Sequence, residues 1–373
     1  MNKRGIRISL AILALAIVVG LSACESVSFY SQVVQGHSQI MLKREPIDRV
    51  LAKPTTDDDL RRKLSIIQQA RLFAVETLKL PNNGSYTHYV DTGRPYVVWN
   101  VIATKAYSIQ PIEHCFPVAG CVSYRGYFKK AAAEAYAEQL TLEGYDTTIS
   151  GASAYSTLGW FSDPVLNTML YRSDLALAGL VFHELSHQEV YQAGDTAFNE
   201  SFATTVELAG VQAWFKAQKK RQDTKESKPP SRLFDEENLK RYREAKFKSA
   251  EVVKLILKYR QKLAVAYSKV DPQNTQQLAH VKKQGFSDLK AAYKALRARG
   301  GGSRGYDQWF DGPINNASLV LFGDYHGWVT AFDELLQQSE GDWARFYESV
   351  QALTALDKPE RRLRLEALQR AAK

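Results

Sequence analysis

Several kinds of feature are missing from this chain of 373 residues, and each absence closes off a class of function. No second closely spaced cysteine pair accompanies Cys115 and Cys121, which excludes a zinc knuckle. There is no arginine-rich helix and no interleaving of aromatic with basic residues, so the footprint of a nucleic-acid binder is absent. The run Gly300-Gly301-Gly302-Ser303-Arg304-Gly305 lacks the Gly-Lys-Ser/Thr ending and the preceding strand of a phosphate loop; it reads as a mobile surface loop. The chain shows no internal repeat. The apolar stretch from Ile8 to Leu21, 14 residues long, is short for a bilayer span.

What is present is an ordinary globular composition, 45% hydrophobic, able to bury a large core. The first residues stand apart from it. Lys3, Arg4 and Arg7 precede the apolar stretch, and Leu21-Ser22-Ala23-Cys24 closes it with small residues before a cysteine. The segment resembles a bacterial lipoprotein signal. That resemblance implies cleavage before Cys24, acyl chains on Cys24, and a lipid anchor in the cell envelope; Glu25 after the cysteine suits the periplasmic face of an outer membrane. Removing residues 1 to 23 deletes three positive charges and no negative ones, so the formal charge falls from +9 to +6. The excess is solubilising and suits an anionic membrane surface. In an exported protein Cys115 and Cys121 most simply close a small disulfide loop, in preference to a metal pair with His114.

The pattern along the chain is α+β. After a tether or first helix over 24–54, Thr55 to Leu80 reads as a helix with Thr56 to Asp59 at its start. Residues 85 to 125 are rich in β-formers, Gly126 to Leu142 is helical, and Asp146 to Ile149 and Ala152 to Leu158 suggest two further short strands. Thus 55–162 forms an N-terminal α/β region with a small sheet, 163–373 a helical region, and the two together one compact unit. Lys216 to Arg232 and Ala298 to Gly305 interrupt the helical part.

The segment that carries chemistry is His183-Glu184-Leu185-Ser186-His187-Gln188, followed by Asn199-Glu200-Ser201. On a helix, His183 and His187 project from one face and can share a single cation. Leu175, Leu177, Leu180, Val181 and Leu185 supply the apolar stripe, with Ser173-Asp174 at the start and Gly194 past the end. If a second helix begins near Asp195, the two form a hairpin around Gln192-Ala193-Gly194, and Glu200 faces His187 as a third ligand. Glu184 lies beside the ligand face, where it can act as general base. A zinc site of this type leaves one position open for catalysis.

These residues resemble the His-Glu-Leu-x-His-Gln and Asn-Glu-Gly-Phe-Ala-Thr pair of aminopeptidase N-like gluzincins. The 12 residues between His187 and Glu200 make the connection shorter than is usual there. A closer likeness links the lipobox, Cys115 to Phe128, Ala154 to Phe161, the histidine motif and Asn315-Asn316-Ala317 to a bacterial family labelled predicted aminopeptidase. The resemblance implies a zincin-like fold, Zn2+ on His183, His187 and Glu200, and Glu184 as base. It places a substrate-holding edge strand at Ala154, Tyr155, Ser156, Thr157, Leu158 and Gly159. Tyr325 and His326, on a helix expected from Asn315 to Leu336, are the candidates for steadying the oxyanion. The Gly-Ala-Met-Glu-Asn signature that would bind a free amino terminus is absent, which leaves endopeptidase action, or amine recognition by Glu207, open.

The expectation is therefore an envelope-anchored, zinc-dependent peptidase acting on a peptide substrate, with no nucleic-acid partner. The alternative is an envelope lipoprotein with a binding or assembly role whose zinc is structural or absent. An acid such as Glu184 next to an open metal position favours the first.

Overall fold

A computed structural model describes residues 27, 29–116, 120–154, 156–223, 235–322 and 327–372, with the backbone alone for 221–223. The lipobox with Cys24, and Tyr155, Tyr325 and His326, lie outside the described residues. Among the described residues, no helix is long and apolar enough to cross a membrane.

The architecture is α+β, mostly helical, with small sheets toward the N-terminus. Helix α1 spans 29–43; β1 (Glu45–Pro46), α2 (Ile47–Ala52) and α3 (Asp58–Glu76) follow. Asp57 starts α3 by accepting from the amides of Asp59 and Leu60, so the helix begins just inside the acidic cluster read from the sequence. Next come β2 (His88–Val90), β3 (Val98–Lys105), β4 (His114–Phe116), β5 (Gly120–Val122) and β6 (Arg125–Tyr127). Helix α4 (Lys130–Leu142), β7 (Tyr145–Ala152) and β8 (Val165–Leu166) complete this part.

Strand β3 is the centre of a sheet ordered β6-β3-β7, antiparallel throughout, so β7 is an edge. One end of that edge is covered: Asn315 Nδ2 donates to the Thr147 carbonyl at 2.8 Å, and Lys282 pairs with Asp146 at 2.6 Å. The other end, toward Ala152, leads into the segment that faces the helical body. β4 and β5 form a hairpin closed by a Cys115–Cys121 disulfide.

The helical body comprises α5 (Asp174–Glu189), α6 (Thr196–Asp223), α7 (Glu236–Ser268), α8 (Thr275–Ala298), α9 (Asp307–Asp311), α10 (Asn316–Val320), α11 (Val329–Gln338), α12 (Trp343–Thr354) and α13 (Lys358–Ala371). Helix α5 is apolar almost all round, with Leu175, Leu177, Ala178, Val181, Phe182 and Leu185 buried, as befits a helix sandwiched between α3 and α6. Phe198, Phe202 and Trp214 on α6 are fully buried in the same core. At about 1.5–3 kcal/mol for each such phenylalanine, this packing holds the α5–α6 pair as a rigid unit.

Four expectations are corrected. Ala152 to Leu158 is not a strand: β7 ends at Ala152, and Leu158 (φ 54°) and Gly159 (φ 82°) turn the chain away from extended geometry. Lys216 does not begin a break, because α6 continues to Asp223 with Gln218 still buried beneath its charged outer face. Asn315 to Leu336 is not one helix. A capping box between Asn315 and Ser318 starts the short α10, and α11 begins only at Val329, with Gly323 and Gly327 in the intervening sequence. The glycine run is pinned, since Arg297 donates to the Gly301 and Gly302 carbonyls at 3.1 and 3.0 Å and Gly302 N donates to Glu251 at 3.0 Å.

Candidate metal centre

The hairpin between α5 and α6 is fixed by side chains that replace the missing helical bonds at its turn. Asn199 accepts from Gln192 N at 2.7 Å and donates back to Gln192 O at 2.8 Å. Asp195 accepts from Phe198 N at 3.3 Å and pairs with the buried Arg361 of α13 at 3.0 Å. Gly194, with φ 75°, supplies the left-handed step of the reversal. The β4–β5 hairpin sits against this turn so closely that a Cβ on Gly120 would meet Gly194 N at 2.9 Å. Asn199 therefore serves the turn, and the next residue, Glu200, is delivered to the face of α5.

His183, His187 and Glu200 converge there, with one ligand atom from each lying within 4.8 Å of the others. The two Nε2 atoms are 3.3 Å apart; Glu200 Oε2 is 3.3 Å from His183 Nε2, and Glu200 Oε1 is 3.7 Å from His187 Nε2. Two nitrogens bound tetrahedrally at about 2.0–2.1 Å from one zinc ion would stand about 3.3–3.4 Å apart. The donor set and its spacing fit a divalent zinc ion.

A second layer orients His183. Its Nδ1 faces Glu207 Oε2 at 3.6 Å, directing Nε2 toward the cluster. Glu207 also accepts from the Tyr242 hydroxyl at 3.0 Å and pairs with Lys246, both from α7. Gly179, one turn before His183, makes room: a Cβ there would lie 3.0 Å from Glu207 and 3.1 Å from the Tyr242 hydroxyl. Glu207 is buried and engaged three times over, so amine recognition does not fall to it.

The electrostatics follow from this crowding. Burial disfavours charge on His183, but the hydrogen bonds to Glu200 and Glu207 outweigh it and hold the imidazole up to about 10. His187 is pushed down to about 4 by burial. Burial pushes the Glu184 carboxyl up to about 7, with His183 opposing and Glu200 and Asp163 adding to the rise. Glu207 is held down at about 2: burial works against ionisation, and His183 and Lys246 overcome it.

Of the expected substrate segment, Ala154, Ser156, Thr157, Leu158 and Gly159 lie in an irregular stretch after β7, tied to α5 through Asp163. Buried Asp163 accepts from Thr157 N at 2.9 Å and Thr157 Oγ1 at 2.7 Å, and Gln188, directly after His187, reaches Asp163 at 3.4 Å. Arg172 joins from the other side, donating to Ser153 Oγ at 2.7 Å within the electrostatic reach of Glu184.

Two tyrosines escaped the sequence reading. Tyr124, between β5 and β6, stands in the field of Glu200 and Glu184; burial and those charges push its phenol up to about 12. Tyr191, at the end of α5, is raised by burial and by Glu200. With 19 tyrosines in the chain, neither position carried a local signal. Only the seating of the disulfide hairpin on the α5–α6 turn brings Tyr124 to the centre.

Fold and site together define a mainly helical α+β protein that carries a two-histidine, one-carboxylate cluster on a helical hairpin. A family model described as "Putative aminopeptidase" matches residues 28–365, and the chain belongs to that family. Membership supports a peptidase role. No curated protein and no solved structure matches the chain.

Proposed function

We propose that the protein is a zinc-dependent peptidase of zincin-like architecture, an aminopeptidase in keeping with its family, anchored to the bacterial envelope through acyl chains on Cys24. The observation that carries this reading is the convergence of His183, His187 and Glu200 at distances suited to one tetrahedral ion.

Zinc held by these three side chains would act as a Lewis acid, polarising the scissile carbonyl. Glu184 takes the proton from the attacking water and delivers it to the leaving amine. A carboxyl raised toward neutrality by burial is suited to both transfers. Glu207, backed by Tyr242 and Lys246, keeps His183 in the tautomer that turns Nε2 inward. Tyr124, in the field of Glu200 and Glu184, would donate a hydrogen bond to the developing oxyanion. The backbone after β7, held by Asp163, lines the peptide's path.

Zinc content of purified wild type and Glu200→Ala, measured together by elemental analysis, tests the ligand set. One zinc per wild-type chain, absent from the mutant along with peptide hydrolysis, is the expected outcome. No zinc in either would turn the reading to a binding lipoprotein; full occupancy in Glu200→Ala would require a different third ligand.

A further inference from the structure

A cavity of about 1110 Å3 lies between α1 and the wall formed by β3, β6 and the segment after β7. Its lining is mainly apolar and includes Phe29, Val33, Val34 and Leu42 from α1 together with Phe128 and Phe161. Val34 and Leu42 are 64% and 86% exposed and lie on the side of α1 away from the face that buries Phe29 and Ile40. Exposed aliphatic side chains grouped around one cavity mark a binding surface more than a solvated helix face. Among the described lining residues there is no carboxylate, and apart from tyrosine the ionisable side chains are His37 and Arg44.

Two parts of the lining connect the cavity to the neighbourhood of the candidate metal centre. Tyr124 lines it and also lies in the field of Glu200 and Glu184. Ser156 and Thr157 line it and are tied through Asp163 to Gln188 on α5. Its volume lies just above the range for small-molecule sites, about 300–1000 Å3, which exceeds what one side chain needs.

We propose that this cavity is an extended subsite that receives an apolar stretch of the peptide substrate, several residues long, with the scissile bond at the Tyr124 end. The proposal rests on the peptidase reading. It makes the preferred substrate a polypeptide rich in large aliphatic or aromatic residues, selected over short or charged peptides. The described lining residues offer no carboxylate to pair with a free amino terminus, which places the terminus outside the cavity and the apolar residues beyond the scissile bond within it.

The test uses the full-length protein with its zinc content measured, and two fluorescent decapeptides of equal length, one rich in Leu and Phe and one rich in Ser and Gln. The apolar peptide should be cleaved with a kcat/KM roughly tenfold or more above the polar one. Val34→Glu and Leu42→Glu, both at exposed positions, should remove most of that preference through KM while leaving zinc content unchanged. Binding to Glu184→Ala, followed by fluorescence anisotropy, separates this proposal from the peptidase reading. If neither peptide is cleaved yet the apolar one binds to Glu184→Ala and binding fails in Glu184→Ala/Val34→Glu, the subsite stands and the catalytic reading fails. Equal handling of the two peptides, or a preference untouched by both substitutions, overturns the subsite. Apolar binding that emerges only when Cys24→Ser removes the acyl chains would assign the cavity to the protein's own lipid, which overturns it as well.

Discussion

On the α5–α6 hairpin, three candidate ligands are carried by two helices whose inner faces are wholly buried. Beside them, Tyr124, Thr157 and Asp163 come from irregular segments, and Thr157 is held to Asp163 through its amide and its hydroxyl. The hairpin gains its geometry from periodicity and packing, so its side chains are fixed by elements that cannot shift singly. The opposite wall gains its geometry from a few polar ties, such as the Thr157 amide to Asp163 at 2.9 Å. Such a wall can vary in shape without disturbing the cluster of His183, His187 and Glu200. In the proposed reading the hairpin supplies the metal ligands and the base, and the wall meets the substrate.

Substitutions can break that division. Glu184→Ala should give the largest effect, a loss of about 10²–10⁴ in turnover with zinc retained, because an acid–base group is removed from a site whose ligands stay in place. Peptide hydrolysis and elemental analysis of the same preparation would show it, and unchanged turnover would end the role of Glu184 as base. Tyr124→Phe comes next, with kcat lowered by about 10²–10³, and KM and zinc unaltered. This variant keeps the ring and its packing, so a normal kcat would mean that Tyr124 is part of the wall and nothing more.

A smaller effect is expected behind the ligands. Glu207→Gln should weaken zinc binding by about 10–100-fold, read by competition with a chelator, since His183 loses the carboxylate that orients it. An unchanged affinity would show that helix packing alone positions the imidazole. The mildest change sharpens the comparison from the other side. Asp163→Ala should lower stability by about 1–3 kcal/mol in denaturant unfolding and raise KM, with zinc content unaffected, because the Thr157 amide and hydroxyl lose their acceptor. Loss of zinc in this variant would mean that wall and hairpin are coupled more tightly than their separate construction implies.

The comparison also explains what could be read early. His183, Glu184 and His187 announce themselves through a spacing of four on an apolar helix, a property that survives in one dimension. Glu200 was accessible through the turn residues before it, since Gln192 to Gly194 marks a hairpin and the depth of each residue follows from helical rise. The segment after β7 was placed near the site but given the wrong conformation, because small and β-forming residues at 152–158 do not reveal that Leu158 and Gly159 turn left-handed. The helix expected over Asn315 to Leu336 failed for a similar reason: periodicity bridged a break on which α10 and α11 separate.

By itself the amino-acid sequence determined the mainly helical α+β class, the cysteine pair and the face of α5 that carries the two histidines, since each depends on local spacing. Tertiary structure decided the rest. Glu207 became the partner of His183 only when α7 brought Tyr242 and Lys246 against α6. Tyr124 reached the cluster only because the β4–β5 hairpin sits on the α5–α6 turn, an approach that glycine at 120 permits. The apolar cavity exists only because α1, β3, β6 and the segment after β7 bring together side chains far apart along the chain. Such contacts join residues distant along the chain, and their energies depend on which surfaces meet, which no local pattern encodes.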